Sequence, residues 1–232
     1  MNITPAITIA GLGLLYKNIL IIGDLQLGYE EYLAKHGYYI PRFQYQDIKE
    51  HLQKLLKETQ ATTLIINGDI KHEFGTITEQ EWRDVLRIID SVDKSIKIIF
   101  IKGNHDLALG PIARKRGIDM VDYYNIDDIT ITHGDKILLD TRKTIIIGHE
   151  HPAISFPGRN DEKYKCFLKG TWKNHELLVL PAFSPINQGT NILNNQPLSP
   201  YLKQDIDNFE VYIIEDKTYY FGTIKKIKKE LL

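Results

Sequence analysis

Five times along this chain a short apolar run, rich in β-branched residues, stops abruptly at a polar cluster of glycine with Asp, Asn or His. Ile19 to Ile22 runs into Gly23-Asp24-Leu25-Gln26, and Thr63 to Ile66 into Asn67-Gly68-Asp69-Ile70-Lys71-His72. Ile96 to Ile101 ends at Lys102-Gly103-Asn104-His105-Asp106, Ile129 to Thr132 at His133-Gly134, and Thr144 to Ile147 at Gly148-His149-Glu150-His151. Runs this short are read as buried strands rather than helices. A strand delivers its last residues to a fixed place, and glycine lets the backbone turn sharply there. Of the eight histidines, five lie in these clusters: His72, His105, His133, His149 and His151.

The segments between the first three strands have helical spacing. Phe43 to Glu58 places Ile48, Leu52, Leu55 and Leu56 on one face, and Thr78 to Val92 repeats the pattern. Ala6 to Tyr16, with Gly11 and Gly13, reads as a hairpin arm. Downstream the helical signal fades, and Cys166 to Trp172, Glu176 to Leu180, Glu210 to Ile214 and Thr218 to Ile224 read as strands. The order β-α-β-α-β followed by β-rich sequence predicts an α/β protein of sheets flanked by helices, with the clusters at the carboxyl ends of strands, where open sheets bind ligands. One domain is expected over residues 1–232, with a core near 19–152 and a long polar loop near 181–207. The basic end, Lys225, Lys226, Lys228 and Lys229, reads as a solvated tail.

Bulk properties remove several classes. At 232 residues the chain is long enough to bury a core. Its formal net charge of −1 is not that of a generally basic nucleic-acid binder, although a local field around bound cations can still attract a phosphodiester. No apolar run approaches the roughly 20 residues of a membrane-spanning helix, and the first residues lack a basic leader region. The lone cysteine, Cys166, is expected to be a buried small residue in a reducing compartment, taken as the cytoplasm.

Carboxylate, carboxamide and imidazole groups without cysteine suit divalent ions of the first transition row and argue against a structural zinc site. The ordered set Asp24-x-Gln26, Gly68-Asp69, Gly103-Asn104-His105-Asp106, His133 and Gly148-His149-x-His151 resembles the calcineurin-like metallophosphoesterase superfamily across residues 24–151. Asp24-Leu25-Gln26-Leu27-Gly28-Tyr29-Glu30, Gly68 to Phe74 and Pro181-Ala182-Phe183-Ser184-Pro185 are similar to archaeal SbcD-related phosphoesterases, themselves similar to ligase-associated DNA endonucleases of bacteria. The resemblance implies a four-layer α/β-β/α sandwich. It also implies two divalent metals, manganese foremost, with iron, zinc, nickel, cobalt or magnesium as alternatives.

By that resemblance Asp69 bridges the metals, Asp24 and His151 complete a first site, and Asn104, His133 and His149 complete a second. His105 would sit just outside the metals, near the leaving group or an equatorial phosphate oxygen. Gln26 stands where the family has a histidine. As an amide ligand it weakens the first site or shifts it toward manganese or magnesium. His72 either faces substrate or makes a structural hydrogen bond, and Asp106 is a candidate to orient a neighbouring imidazole.

The expected reaction is hydrolysis of a phosphodiester by a metal-activated hydroxide. The substrate is a nucleic acid or nucleotide, with single-stranded DNA or RNA favoured, and a helicase or ligase is a possible partner. Two alternatives stay open: a small-molecule phosphatase or cyclic-nucleotide phosphodiesterase, and a degenerate metal-binding module that docks on a nucleic-acid-processing partner. Tyr29, Tyr32, Tyr38 and Tyr39 with Arg42 either hold a nucleobase or form a partly buried helix and loop. His36, His51 and His175 read as surface or helix residues, and Trp82 and Trp172 as packing.

Overall fold

The strand Ile19–Gly23 is buried along its whole length because it is covered on both faces. Leu20 and Ile22 pack toward helices, while Ile19 and Ile21 pack toward a second sheet. A strand with both faces covered has no polar alternation, which is why the sequence reads there as a continuous apolar run. The computed structural model describes residues 1–38, 40–156, 158, 162–194 and 196–231. Tyr39 therefore lies outside the described residues.

The first sheet has six strands whose spatial order is their chain order: Ile7–Ala10, Gly13–Tyr16, Ile19–Gly23, Thr63–Asn67, Lys97–Ile101 and Asp119–Val121. The first two pairings are antiparallel and the last three parallel. Helices Gln44–Thr59, Glu79–Ser91 and Gly110–Arg116 cover its outer face through Ile48, Leu52, Val85, Ile88 and Ile112. Helix Glu79–Ser91 begins at a capping box, with Thr78 and Glu81 satisfying each other's backbone N–H groups.

The second sheet runs Thr190–Asn191, Pro152–Ile154, Tyr164–Trp172, His175–Val179, Thr144–Ile147, Ile129–Thr132, Tyr123–Ile126. Strands Glu210–Ile214 and Thr218–Thr223 extend from Tyr164–Trp172. Its inner face meets the first sheet through Ile131, Ile146, Phe167 and Leu178. Its outer face is covered by helix Ile224–Leu231 and by Ile192, Tyr201, Leu202 and Phe209. The result is the expected four-layer arrangement of two mixed sheets flanked by helices, with the last layer formed partly by irregular chain.

Two expectations change. The basic end is not a free tail: Ile224 and Ile227 are buried, so the lysines stand on the outer side of a docked helix. The long loop is also more ordered than its composition suggests, since Thr190–Asn191 pairs in parallel with Pro152–Ile154 and a 3-10 turn forms at Pro200–Leu202. Cys166 and Trp172 pack in the core and Trp82 packs partly buried against it, and among the described residues no helix is long and apolar enough to cross a membrane.

The sheets meet at the carboxyl ends of their parallel strands. Asn67 Nδ2 donates to the Thr132 carbonyl at 2.9 Å, and Gly148 N donates to His133 O at 2.9 Å. Phe183 N and Ser184 N donate to Gly23 O and Asp24 O at 2.9 and 3.2 Å. Strand ends from both sheets are thus tied into one seam, and all five polar clusters are delivered to it.

Candidate metal centre

The backbone at this seam is held in a conformation that most side chains avoid. Asp24, Gln26, Asp69, His149 and His151 all have positive φ, between 44° and 63°. Such left-handed residues are uncommon outside glycine and cluster at functional sites, where surrounding hydrogen bonds enforce them. The turn at Asp69 is fixed on both sides: Asp24 N donates to Gly68 O at 3.1 Å and Gln26 N to Asp69 O at 2.8 Å. Two glycines clear space for the ligating groups. A Cβ on Gly68 would lie 2.0 Å from His133 Nδ1, and one on Gly103 would lie 2.2 Å from Asp69 Oδ1.

Around the second predicted site, His133 Nε2 lies 3.1 Å from Asn104 Oδ1, 3.2 Å from His149 Nδ1 and 3.3 Å from Asp69 Oδ1. A single N–H can satisfy one of these neighbours, whereas a cation at their focus satisfies all four. His133 Nδ1 is directed at the Asn67 carbonyl, 3.4 Å away, which leaves Nε2 to face the focus. Burial opposes a charge on His133, but the hydrogen bond and charge of Asp69, with Asp24 and Asp106 behind, raise its pKa to about 9. Burial likewise disfavours the Asp69 carboxylate, yet His133 and His105 hold it below the usual range. The two opposite shifts share one cause, the approach of His133 Nε2 to within 3.3 Å of Asp69 Oδ1. His149 is shifted downward, by burial and then by the charge on His133.

Asp69 belongs to both candidate ligand groups, Asp69-His133-His149 and Asp24-Asp69-His151, in each of which the ligand atoms lie within 4.8 Å of one another. In the second group His151 Nε2 is 3.0 Å from Asp24 Oδ1, yet it is buried without an aligned hydrogen bond. An orphaned ring nitrogen beside a fully buried carboxylate fits a cation in charge and position. The Gln26 side chain is engaged by a neighbour of this site, its Oε1 accepting a hydrogen bond from Asn187 Nδ2 at 3.0 Å. The same Nδ2 lies 2.9 Å from His151 Nδ1. Sequence reading missed Asn187. It lies in the long polar loop with no flanking histidine or glycine-aspartate signal, and it is brought here by Ser184 N on Asp24 O before it and the parallel pairing of Thr190–Asn191 after it.

His105 stands beside the ligand groups, its Nε2 3.7 Å from Asp69 Oδ2. Its Nδ1 donates to the His72 carbonyl, which turns Nε2 toward the seam. The ring packs against Phe74, with centroids 3.6 Å apart. His72 sits 4.3 Å from the Tyr29 ring and 4.7 Å from that of Tyr32, and burial, then the charge of His105, lowers its pKa to about 4. Tyr29 and Tyr32 thus pack on His72 from helix Tyr29–Lys35, with the His105 ring on His72 at 5.7 Å between centroids, whereas Tyr38 is exposed beyond the helix end.

Asp106 takes backbone partners: Oδ1 accepts from Ile70 N and Lys71 N at 2.9 and 3.3 Å, and Oδ2 from Gly103 N at 3.0 Å, while its charge acts on the His133 imidazole without a hydrogen bond to it among the described residues. Burial and the charge of Asp69 push its carboxyl up to about 7, against the pull of these donors. Its work is to clamp the Asp69 turn to the Gly103 turn. Glu81 acts similarly from the helix cap, accepting from His72 N and Glu73 N at 3.0 and 2.7 Å.

The sequence pattern of the calcineurin-like phosphoesterase family matches residues 17–214. Among solved structures the fold is similar to that of nuclease MPE from Pseudomonas putida, with a TM-score of 0.63 and 19% identity over 92% of this chain and 93% of that one. YfcE, a phosphoesterase from E. coli, aligns over 73% of this chain and 81% of that one at 12% identity, with a TM-score of 0.36. No curated protein sequence matches the chain.

Proposed function

Because the chain belongs to the calcineurin-like phosphoesterase family, we propose that it is a metal-dependent phosphodiesterase acting on nucleic acid or nucleotides, with single-stranded DNA or RNA as the favoured substrate. The observation that carries this reading is the focus of Asp69, Asn104, His133 and His149 around one point, with Asp24 and His151 sharing Asp69 on its other side. Asn104, His133 and His149 would hold the second metal and Asp24 and His151 the first, with Asp69 common to both. Divalent ions there, manganese foremost, supply positive charge for the phosphoryl oxygens and lower the pKa of attacking water.

The remaining groups have their own tasks. His105, held by the His72 carbonyl, presents Nε2 to an oxygen of the scissile phosphate or of the leaving group. The neutral His72 ring packs with the tilted ring of Tyr29 and the edge-on ring of Tyr32 into an aromatic cluster beside it. Base–aromatic stacking on such a cluster favours a nucleotide over a small phosphate ester. We assign residues 1–232 to one catalytic unit of the cytoplasm that serves nucleic-acid processing beside a helicase or ligase.

A second reading is a degenerate metal-binding module, favoured by the engagement of Gln26 with Asn187. One assay separates the readings. Protein loaded with manganese is given bis(p-nitrophenyl) phosphate, p-nitrophenyl phosphate and end-labelled single-stranded DNA. Turnover of the diester and cleavage of the DNA, with little monoester turnover, is the expected result. Monoester turnover alone points to a small-molecule phosphatase, and no turnover with any divalent metal to the degenerate module.

A further inference from the structure

The imidazoles of the centre differ in what faces their far nitrogen. His133 Nδ1 is directed at the Asn67 carbonyl and His105 Nδ1 at that of His72, so in each ring a hydrogen on Nδ1 has an acceptor. Metal-ligating histidines are normally supported in this way, with the other ring N–H on a carbonyl or carboxylate. His151 differs from these two, since its Nδ1 faces the amide nitrogen of Asn187 at 2.9 Å.

The orientation of that amide is anchored by the backbone. Asn187 Oδ1 accepts from Gly189 N at 2.9 Å, and a backbone N–H can only donate, so the oxygen must point there and the nitrogen away. Nδ2 then donates to Gln26 Oε1 and to His151 Nδ1. The segment cannot swing clear. Thr190 N donates to His151 O at 2.7 Å, and Gly189 has φ +88° with room for no side chain, a Cβ there falling 2.4 Å from His151 O. A lone pair on Nδ1 in turn places the ring hydrogen on Nε2, the atom that faces Asp24 Oδ1 and the first site. An imidazole in that form has no lone pair to offer a cation through Nε2.

We propose that Asn187 is a positioning residue that holds the first metal site in a low-affinity state, by occupying the oxygen of Gln26 and presenting His151 with a donor where a ligating imidazole requires an acceptor. The centre then fills in order, the site of Asn104, His133 and His149 first and the site of Asp24 and His151 only at higher metal concentration. This inference rests on the metal-dependent reading above.

The test is titration of manganese into metal-free protein, followed by calorimetry and by the electron paramagnetic resonance of free manganese. Wild type is expected to show one tight and one weak site. Asn187→Asp keeps an acceptor for Gly189 N and gives His151 Nδ1–H an acceptor, while Gln26 can turn its own amide to donate. It is expected to tighten the weak site about 10-fold or more, the scale of such supporting contacts, and to leave the tight site unchanged. Asn187→Ala removes the donor without adding charge and is expected to tighten the weak site by a smaller factor. An unchanged or weaker second equivalent in both variants, with wild-type melting and an intact tight site, would overturn the proposal in favour of a purely structural strap. Tightening in Asn187→Asp alone would overturn it in favour of simple added charge. Absence of any tight site in wild type would overturn the metal-dependent reading itself.

Discussion

Asp69→Asn is expected to reduce manganese-dependent turnover of bis(p-nitrophenyl) phosphate below about 1% of wild type. Even partners outside the ligand sphere commonly cost 10–100-fold in metal affinity or activity, and Asp69 is shared by both ligand groups. An asparagine offers one oxygen, and its NH₂ group turns a partial positive charge toward the other site. The turn itself should survive, because the Asp69 carbonyl and the Asp106 carboxylate keep their hydrogen bonds, and the asparagine oxygen can still accept from His105 N as Asp69 Oδ1 does at 3.2 Å. The metal-free protein supplies a second readout. The pKa of His133 is raised to about 9 with Asp69 as the main favourable cause, so its contribution to stability is full below the ordinary value near 6.5 and is lost as pH rises through 9. In Asp69→Asn that fall in melting temperature between pH 6.5 and 9 should flatten, and the His133 ring should titrate lower by NMR. A variant with wild-type turnover and metal content would refute the role given to Asp69.

Much of this centre was legible because the same physics writes sequence and site. A strand buried on both faces must be apolar and must end sharply, so Ile19–Gly23, Thr63–Asn67 and Thr144–Ile147 announce their own ends, and the groups at those ends are where chemistry can be placed. The helices Gln44–Thr59 and Glu79–Ser91 were equally visible, because each has one broad apolar face and the second a complete capping box. Short elements were not. Tyr29–Lys35, Gly110–Arg116 and Pro152–Ile154 are too brief to show a period, and tertiary contacts select them. The docked helix Ile224–Leu231 was hidden by its lysines, which dominate its composition while two isoleucines decide its packing. Asn187 was invisible for a different reason. Its role depends on which backbone N–H fixes its amide, and no local pattern encodes that.

The same limit applies to Asp106, and it leads to the largest stability effect expected of any single change here. Sequence places Asp106 one residue from His105 and suggests a partner for an imidazole. The fold instead gives the fully buried carboxylate three backbone N–H groups, from Ile70, Lys71 and Gly103. Asp106→Ala strands all three donors in a site sealed from solvent. An orphaned buried donor costs roughly 1–3 kcal/mol. Even at the lower end of that range, with a term for the small cavity, the loss comes to about 4 kcal/mol. For a chain of this size that corresponds to a fall in melting temperature of roughly 8–16 °C. Asp106→Asn keeps one accepting oxygen but turns an NH₂ group toward a donor, so it should fall between alanine and wild type. Because the clamp joins the Asp69 turn to the Gly103 turn, metal affinity should drop along with stability, although neither variant removes a ligand. Thermal melting followed by circular dichroism, with and without manganese, measures both effects. A melting temperature within about 2 °C of wild type for Asp106→Ala would mean that water or a shifted backbone satisfies these donors, and that the two turns are held together by the ligands themselves.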